Sequence, residues 1–489
     1  MLFNSHIFML LFLPLLLAGW YFLNWKKKFQ LAQGYLIGMS LWFYAYANLQ
    51  YLWLLLFSCL IGWLLSCLPE KISSEKGKKV LTGVGCVFHL GLLGYFKYSN
   101  FFLENLNTVF HTDFPMLQIL LPVGISFYTF QQLAYLIDRC RGDAPRDSFF
   151  DYLTFMVYFP QLLQGPILLR SEFMGQLKEP ERRRFHAERF SEGIQFFVFG
   201  LAKKVLLADT LAKAVNYGYS NVSMLDSISA LLLAVGYLTE LYFDFSGYCD
   251  MAVGLGKMIG LEVAENFDAP FHSASVKEFW RRWHMTLGRF FTRYVYIPLG
   301  GNRRGKMRTL CNVMIVMLLS GLWHGAAWTF VLWGFLHGVG MIWDNLEHPH
   351  LPKKWMRQAA TFAYVCMTFV FFRAESIAQG IDVLKSFVSL KWNGFVFQMA
   401  SALDMTECYI ITKALSMKLP GLLSWFWLGI FVVLIAICFR VLSGEKVSGV
   451  VALQRQKGYG RLYPVVLAVL FTWSMISMTG VSEYLYFSF

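Results

Sequence analysis

The sequence predicts an all-α, polytopic membrane protein, and three observations support this fold class. Of the 489 residues, 57% are hydrophobic and only 15% are charged. Apolar segments long enough to cross a bilayer recur from one end of the chain to the other. Basic residues gather in the short loops between these segments, as the positive-inside rule describes. We therefore expect one integral membrane domain over residues 1–489, with about eleven or twelve transmembrane helices plus re-entrant and amphipathic helices.

Charge and cysteine content narrow the functional classes. The net charge is +13, but its distribution over short loops indicates membrane orientation and not a nucleic-acid partner. The nine cysteines form no CxxC pair and no Cys/His ligand spacing. We therefore predict neither a metal site nor a disulfide framework.

The first half of the chain follows the orientation rule for five spans. No basic residue precedes the first apolar run, whereas Lys26, Lys27 and Lys28 follow it. A cleavable signal peptide has the opposite charge order, so we expect a retained first span with the N-terminus outside. The stretch 100–121 lacks Lys and Arg and is predicted outside, while the loops 69–79 and 139–146 are basic and predicted inside.

The segment FMVYFPQLLQGPILLR, residues 155–170, breaks this alternation because the loops on both sides are basic. Pro160 and Pro166 cannot donate to a helical hydrogen-bond ladder. We therefore predict a re-entrant hairpin. Irregular backbone at membrane depth is tolerated where protein buries it or where it lines a cavity, so we expect this segment to line one.

The region 267–306 is rich in arginine and aromatic residues. Trp280, His284, Leu287 and Phe291 follow helical spacing, which predicts one amphipathic helix with these residues on its apolar face. Further spans are predicted at 309–323, 326–343, 359–372, 421–440 and 462–479.

His324, in the run SGLWHG, is the residue that most strongly suggests a function. A titratable side chain at bilayer depth is costly and is functional by default. The alternative is a packed histidine hydrogen-bonded to a neighbouring helix. His284, in WRRWH, has the alternative of an ordinary interfacial histidine.

Several motifs together identify a family resemblance. They are LPVGISFYTFQQLAYLID, FPQLLQGPI, ELYFDFSGYCDMAVGLG, NFDAPFHSASVKEFWRRWH, YIPLGGNR and GLWHG. In this order and spacing, most densely over 121–373, the chain resembles the membrane-bound O-acyltransferase family. Within that family it is most similar to the bacterial branch that acetylates exported polysaccharides such as alginate.

The resemblance implies a reaction, an acceptor and a location in the cell. It implies transfer of an acyl group, expected to be acetyl from acetyl-CoA, through a central tunnel to hydroxyls of a cell-envelope polysaccharide. The acceptor is reached directly or through an extracytoplasmic partner protein, and the enzyme lies among the lipids of the bacterial cytoplasmic (inner) membrane. His324 is then the catalytic residue and His284 its companion.

The chemistry of O-acylation agrees with this assignment. A base must take a proton from the alcohol, and imidazole, with an unperturbed pKa near 6.5, suits that task. Trp323 and Trp328 flank His324 and are expected to exclude water and keep the ring neutral. The thioester already activates the acyl group, so no metal is required.

Other candidate residues extend the site. Predicted to line the tunnel are Asp244, Ser246, Tyr248, Trp280, Trp283 and Trp323. Predicted to hold the phosphates of coenzyme A are Arg281, Arg282, Arg303 and Arg304, for which cytoplasmic anchoring is the alternative.

The polar run around Asp244 allows two interpretations. Its acidic residues can line the donor entrance, or they can cap a helix break between Phe245 and Met251. We expect Asp250 to cap and Asp244 to face the cavity, and we expect Lys203 and Lys204 to snorkel.

The chain departs from the family pattern at two positions of that run. Glu240 stands where Gln is usual, and Cys249 stands where Ser is usual. Glu240 either changes the protonation balance of the cavity or faces the cytoplasm. Both departures bear on the identity of the acceptor more than on the chemistry.

Two other functions compete with acetyl transfer. One is transfer of D-alanine from a carrier-protein thioester to teichoic acids. The other is a non-enzymatic transporter or flippase, which the absence of matched broken helices in the two halves disfavours.

Overall fold

The computed structural model describes residues 1–47, 49–346, 352–442, 446–458, 460–478 and 484–485. Within these ranges all regular structure is helical, so the predicted all-α class is confirmed. Besides α-helices the described chain contains four π-helical segments, at Phe8–Phe12, Gly94–Tyr98, Lys203–Ala208 and Thr292–Tyr296.

The helices of the N-terminal part end before the basic loop around residue 183. In chain order they are α1 Leu13–Trp25, α2 Phe29–Ala47, α3 Leu52–Cys67, α4 Glu75–Leu93, α5 Ser99–Phe110, α6 Ile125–Arg141, α7 Phe149–Val157, α8 Phe159–Leu162 and α9 Arg170–Leu177.

The central part carries the candidate site. Its helices are α10 Ala187–Ala202, α11 Asp209–Ser220, α12 Ser227–Ile259, α13 Val276–Arg282, α14 Met285–Phe291, α15 Lys306–His324, α16 Trp328–Asn345 and α17 Lys354–Arg373. The C-terminal helices are α18 Ile377–Val388, α19 Phe395–Ser401, α20 Tyr409–Lys418, α21 Pro420–Leu442, α22 Val447–Lys457 and α23 Leu462–Ser477.

Six helical stretches of the described chain are long and apolar enough to cross a membrane: Phe8–Trp25, Leu49–Lys71, Glu75–Phe110, Ser227–Ile259, Lys306–His324 and Pro420–Leu442. Large apolar side chains such as Trp53, Val87 and Val465 are exposed on the outer surface, which suits contact with lipid. The protein is therefore a multi-pass membrane protein. The larger count of eleven or twelve spans stays a prediction.

Helix α12 is the central helix of the fold. One of its faces packs in a core with the N-terminal helices, and another packs in a core with α13 to α17 and α21. It meets α10 at backbone contact, because a Cβ on Gly200 would lie 2.5 Å from the carbonyl oxygen of Gly247. Small residues at such a contact allow two membrane helices to pack closely.

The predicted amphipathic helix over Trp280–Phe291 is broken in the structure. Helix α13 ends at Arg282, and His284 adopts a left-handed backbone conformation with φ +47° before α14 begins at Met285. The expectation of one continuous helix is therefore wrong. The break turns the side chain of His284 inward, where it is fully buried.

The predicted re-entrant segment is irregular and buried. Helices α7 and α8 are separated at Tyr158, and no regular structure follows between Leu163 and Leu169. The segment passes against Gly124, where a Cβ would lie 2.5 Å from the carbonyl oxygen of Leu162. Glycine at 124, with φ +78°, permits this approach.

Candidate functional site

His324 is the last residue of α15, at the turn into α16. The two helices form a tight hairpin, because a Cβ on Gly321 would lie 2.3 Å from the carbonyl oxygen of Phe330. The chain is extended at Gly325, and α16 begins at Trp328. This hairpin holds His324 in the protein interior, where its side chain is 3% exposed.

Aromatic rings surround the imidazole of His324. The ring centroids of Trp323, Trp333 and Phe372 lie 4.9, 5.1 and 5.2 Å from that of His324. Trp328, which was expected to shield the ring, is 56% exposed and instead packs against Phe101, with 5.7 Å between the ring centroids. The water-excluding role predicted for Trp328 therefore falls to Trp333.

His284 lies beside His324, with 6.3 Å between the ring centroids. Its Nδ1 atom lies 3.3 Å from Oδ1 of Asn266, which also accepts the main-chain N–H of Thr286 at 3.1 Å. A main-chain N–H can only donate, so this Asn266 atom is an acceptor and Nδ1 of His284 carries the proton. The Nε2 atom of His284 then carries the lone pair.

Asn266 also ties this histidine to the neighbouring segments. Its amide Nδ2 lies 3.5 Å from the sulfur of Cys249, and its Oδ1 accepts the hydroxyl of Thr286 at 2.9 Å. The oxygen of that hydroxyl accepts the main-chain N–H of Ile167, in the re-entrant segment, at 3.1 Å. One buried amide thus connects α12, the WRRWH turn and the re-entrant segment.

A small pocket opens on one side of the two histidines. Its volume is about 50 Å³, and the residues that define it include His324, Trp323, Lys97, Gly124, Ser126 and Leu163. Leu163 belongs to the re-entrant segment, so the expectation that this segment lines a cavity agrees with the structure.

A second, large cavity lies near Asn266. Its volume is about 900 Å³, and the polar residues that define it include Lys203, Ser246, Cys249, Asp250, Glu265 and Asn266. Apolar side chains of α21 form much of the remaining wall. Asn266 lines this cavity and contacts His284, whereas His324 lines the small pocket, so the histidine pair connects the walls of the two cavities.

The two aspartates of the FDFSGYCD run do not lie where they were predicted to lie. The helix is continuous from Ser227 to Ile259, so Asp250 caps no break. It lines the large cavity and pairs with Lys203 at 2.6 Å. Asp244 lines neither cavity and pairs with Lys204 at 2.6 Å, both side chains being almost fully buried. The two lysines are therefore ion-paired inside the protein and do not snorkel.

The remaining tunnel candidates separate into two groups. Ser246 lines the large cavity, and Trp323 lines the small pocket while stacking on Phe130. Tyr248 and Trp283 are packed in the aromatic core and line neither cavity.

Trp280 has a structural contact in place of a cavity role. Its Nε1–H donates to Nδ1 of His337 at 3.2 Å, and Thr368 lies 2.9 Å from Nε2 of that histidine. Glu240 is 2% exposed, which decides against the interpretation that it faces the cytoplasm.

The four arginines predicted for coenzyme A lie at the surface. Arg282 pairs with Glu278 at 2.9 Å and donates to the carbonyl oxygen of Asp268 at 3.3 Å, beside a segment that lines the large cavity. Arg281, Arg303 and Arg304 are exposed. Their role in binding phosphate stays a prediction.

Two residues of the site escaped the sequence reasoning. Asn266 lies in the quoted NFDAPFHS motif, but nothing in its local spacing indicates that it contacts His284. Lys97, in the π-helical segment Gly94–Tyr98, donates to the carbonyl oxygens of Trp323 and His324. A lone lysine inside an apolar run was the available signal, since such residues are functional candidates.

Comparison with known proteins now gives the class of the protein. Residues 141–380 match the model of the membrane-bound O-acyltransferase family. The chain belongs to this family and is therefore an O-acyltransferase, which decides against the transporter alternative.

Individual relatives cover most of the chain. It is 35% identical to the peptidoglycan O-acetyltransferase of Helicobacter pylori, over 80% of each chain. It is 39% identical to a probable alginate O-acetylase of Azotobacter vinelandii, over 77% of this chain and 76% of that protein. A teichoic acid D-alanyltransferase of Streptococcus thermophilus is 28% identical over 49% of this chain and 58% of its own.

Proposed function

We propose that this protein transfers an acetyl group from acetyl-CoA to hydroxyls of an exported cell-envelope polysaccharide, with His324 as the general base. The observation that carries the proposal is the pair of buried histidines, whose ring centroids are 6.3 Å apart and one of which, His324, lines the small pocket. Relatives named for O-acetylation of peptidoglycan and alginate support the acyl group and the class of acceptor.

The reaction needs one base and no covalent enzyme intermediate. His324 accepts the proton of the acceptor hydroxyl as its oxygen attacks the thioester carbonyl carbon. The new C–O bond forms, the C–S bond breaks, and the proton passes to the leaving thiolate. The aromatic rings around His324 exclude water and so protect the thioester from hydrolysis.

His284 is the companion of His324 in this scheme. Because Asn266 accepts the hydrogen on its Nδ1, Nε2 carries a lone pair and is an acceptor for a hydrogen bond from a substrate group. We therefore assign it an orienting role.

The large cavity is the proposed donor side. It is wide enough for the thioester arm of the coenzyme, and Arg281 and Arg282 lie on the helix that ends at the WRRWH turn. Arginine suits phosphate because its guanidinium group donates two parallel hydrogen bonds. Arg303 and Arg304, exposed before α15, extend the basic surface available to the coenzyme.

The small pocket is the proposed point of transfer, with the acceptor arriving from outside the cytoplasm. Its wall includes Leu121, which ends the stretch 100–121 that lacks basic residues, and the adjacent Pro122. The acyl group passes to the polysaccharide directly or through an extracytoplasmic partner protein.

Thiol release from acetyl-CoA by the purified protein in liposomes tests the proposal. Alginate, peptidoglycan fragments and envelope extract serve as acceptors. We expect acceptor-dependent release by the wild type and a loss of about 10²–10⁴-fold in His324→Ala, which is the usual contribution of a general base. His284→Ala is expected to lose less, because it orients a substrate and does not transfer the proton.

His89→Ala is the matched control. His89 is 1% exposed and lies in α4, where Ser58 contacts its ring, and it lines neither cavity. Its removal should leave acetyl transfer per folded molecule intact. A drop below about threefold in His324→Ala would falsify the assignment of the base.

A further inference from the structure

Lys97 closes the end of the helix that carries His324. Its ammonium nitrogen lies 2.7 Å from the carbonyl oxygen of Trp323 and 3.0 Å from that of His324. The hydroxyl of the next residue, Tyr98, donates to the carbonyl oxygen of Leu322. The π-helical segment Gly94–Tyr98 thus supplies donors to the last three carbonyl groups of α15, which have no partner within the helix.

The ammonium nitrogen of Lys97 is surrounded by oxygen atoms. The third neighbour of its nitrogen is Oγ of Ser126, at 3.4 Å, so three oxygen atoms surround a group with three protons. The C-terminal end of a helix also carries partial negative charge, which stabilises a cation placed there.

The charge of Lys97 faces the pocket that holds His324. Both residues line the small pocket, and none of the residues that define it is acidic. Any group that enters therefore meets a positive charge without a neighbouring carboxylate.

The pocket is also small. A cavity needs about 10–15 Å³ of probe-occupied volume for each water-sized group. The volume of about 50 Å³ therefore suits an acyl group of three or four non-hydrogen atoms. Acetyl fits this space, whereas an alanyl group is larger and carries an ammonium group.

We propose that Lys97 determines the specificity of the acyl pocket, admitting small neutral acyl groups and rejecting aminoacyl groups by charge repulsion. This inference rests on the proposed function, because it takes the pocket beside His324 as the place where the acyl group is held. It also provides a test between acetyl and D-alanyl transfer, the two chemistries found among the relatives.

Two acyl donors of equal size separate the effect of acyl-group charge from the effect of acyl-group size. Propionyl-CoA and freshly prepared glycyl-CoA have acyl groups of the same number of non-hydrogen atoms, but only the glycyl group is cationic. The readout is the ratio of kcat/KM for propionyl-CoA to kcat/KM for glycyl-CoA, measured by acceptor-dependent thiol release. Both kcat/KM values come from the same protein preparation, so the fraction of folded protein cancels in their ratio. A purely structural role of Lys97 would therefore leave the ratio unchanged.

We expect the wild type to prefer propionyl-CoA by at least about tenfold, since a charge contact of this kind is strong away from water. Lys97→Met and Lys97→Gln should bring the ratio to within about threefold of unity, whereas Lys97→Arg keeps the charge and should keep most of the preference. Ser126→Asp offers a second route, because it places a carboxylate beside Lys97 while leaving the lysine in place. Lys257→Met is the control, as Lys257 pairs with Glu192 at the far end of α12.

The outcomes separate the two proposals. Equal use of both donors by the wild type, or an unchanged ratio in the Lys97 and Ser126 variants, would overturn the role of Lys97 and leave acetyl transfer standing. If the Lys97 variants are inactive with every donor, the ratio in Ser126→Asp decides. Acetyl transfer that survives in His324→Ala would instead overturn the proposed function.

Discussion

Single residues control this site mainly by fixing other residues. Asn266 is the clearest case, because one buried carboxamide contacts His284, Thr286 and Cys249 at once. Its Oδ1 selects the tautomer of His284 by accepting the hydrogen on Nδ1. The orientation of His284 therefore depends on the amide as much as on its own backbone.

Removing this amide should affect turnover more than folding. Asn266→Ala frees Nδ1 of His284, and we expect kcat to fall by about 10–100-fold, since small displacements of a substrate-orienting group have effects of that size. KM for acetyl-CoA should change little. Measuring kcat and KM of Asn266→Ala, on protein whose fold has been verified, tests this prediction.

Asn24→Ala provides the comparison for Asn266→Ala. Asn24 is 5% exposed and donates to the carbonyl oxygen of Trp20 in the first helix, away from both cavities. Its kcat should match that of the wild type. An equal loss of kcat in both variants would show that the effect of Asn266 is a general cost of deleting a buried amide.

Cys249 allows a second test at this scale. Its sulfur accepts the Nδ2–H of Asn266 at 3.5 Å, in a position where the family usually has serine. A serine oxygen accepts the same hydrogen bond with a shorter contact, so Cys249→Ser should keep activity within about threefold of the wild type. Cys249→Leu keeps an apolar side chain but removes the acceptor, and we expect it to lose activity in the same assay.

At the scale of helices, the sequence predicted positions better than boundaries. The apolar face through Trp280 and His284 was predicted, but the break between the two helices was not, because no glycine or proline marks it in the sequence. Tertiary contacts stabilise the break, chiefly those of Asn266 with His284 and Thr286. Asn266 lies too far from these residues along the chain for a local sequence pattern to indicate the contacts. The prediction for the FDFSGYCD run was wrong in the opposite way: its polar residues suggested a helix break, but the helix is continuous.

The hairpin of α15 and α16 yields a prediction about a single glycine. A Cβ on Gly321 would lie 2.3 Å from the carbonyl oxygen of Phe330, and backbone cannot yield as a flexible side chain would. Gly321→Ala should therefore cost about 1–3 kcal/mol or more of stability and displace His324, which lies three residues further on. Thermal unfolding in detergent and acetyl transfer together measure both effects.

Gly83→Ala is the matched substitution. Gly83 lies within α4, and a Cβ there meets nothing within 4 Å. Alanine favours helix by about 1 kcal/mol over glycine, so this variant should be neutral or slightly more stable. Destabilisation by both substitutions to the same extent would contradict the close-approach argument.

At the scale of the whole molecule, composition predicted the membrane fold and the motifs predicted the family. What the sequence could not supply was the set of contacts between distant segments. Lys97 and His324 meet only because α4 and its π-helical extension pack beside the end of α15. Lys203 and Lys204 were expected to snorkel, yet each pairs with an aspartate of α12. Such pairing depends on the packing of whole helices.

The buried pair of Lys204 and Asp244 should therefore stabilise the assembly of α12 with the π-helical segment Lys203–Ala208. Both side chains are at most 2% exposed, and Asp209 lies 2.8 Å from the same lysine. Removing one partner of a buried pair costs about 3–5 kcal/mol. Asp244→Ala leaves Asp209 as the remaining partner of Lys204, so its cost should lie at the lower end of that range. The double variant Lys204→Met with Asp244→Leu removes both charges, and we expect it to recover much of that loss.

The exposed pair of Lys385 and Asp382 serves as the reference, since Asp382→Ala should change stability by no more than about 0.5 kcal/mol. Thermal unfolding in one detergent compares the wild type, Asp244→Ala, the double variant and Asp382→Ala. If the double variant were less stable than Asp244→Ala, the ion pair itself would stabilise the packing of these helices, and the cost of an unpaired charge would not explain the loss.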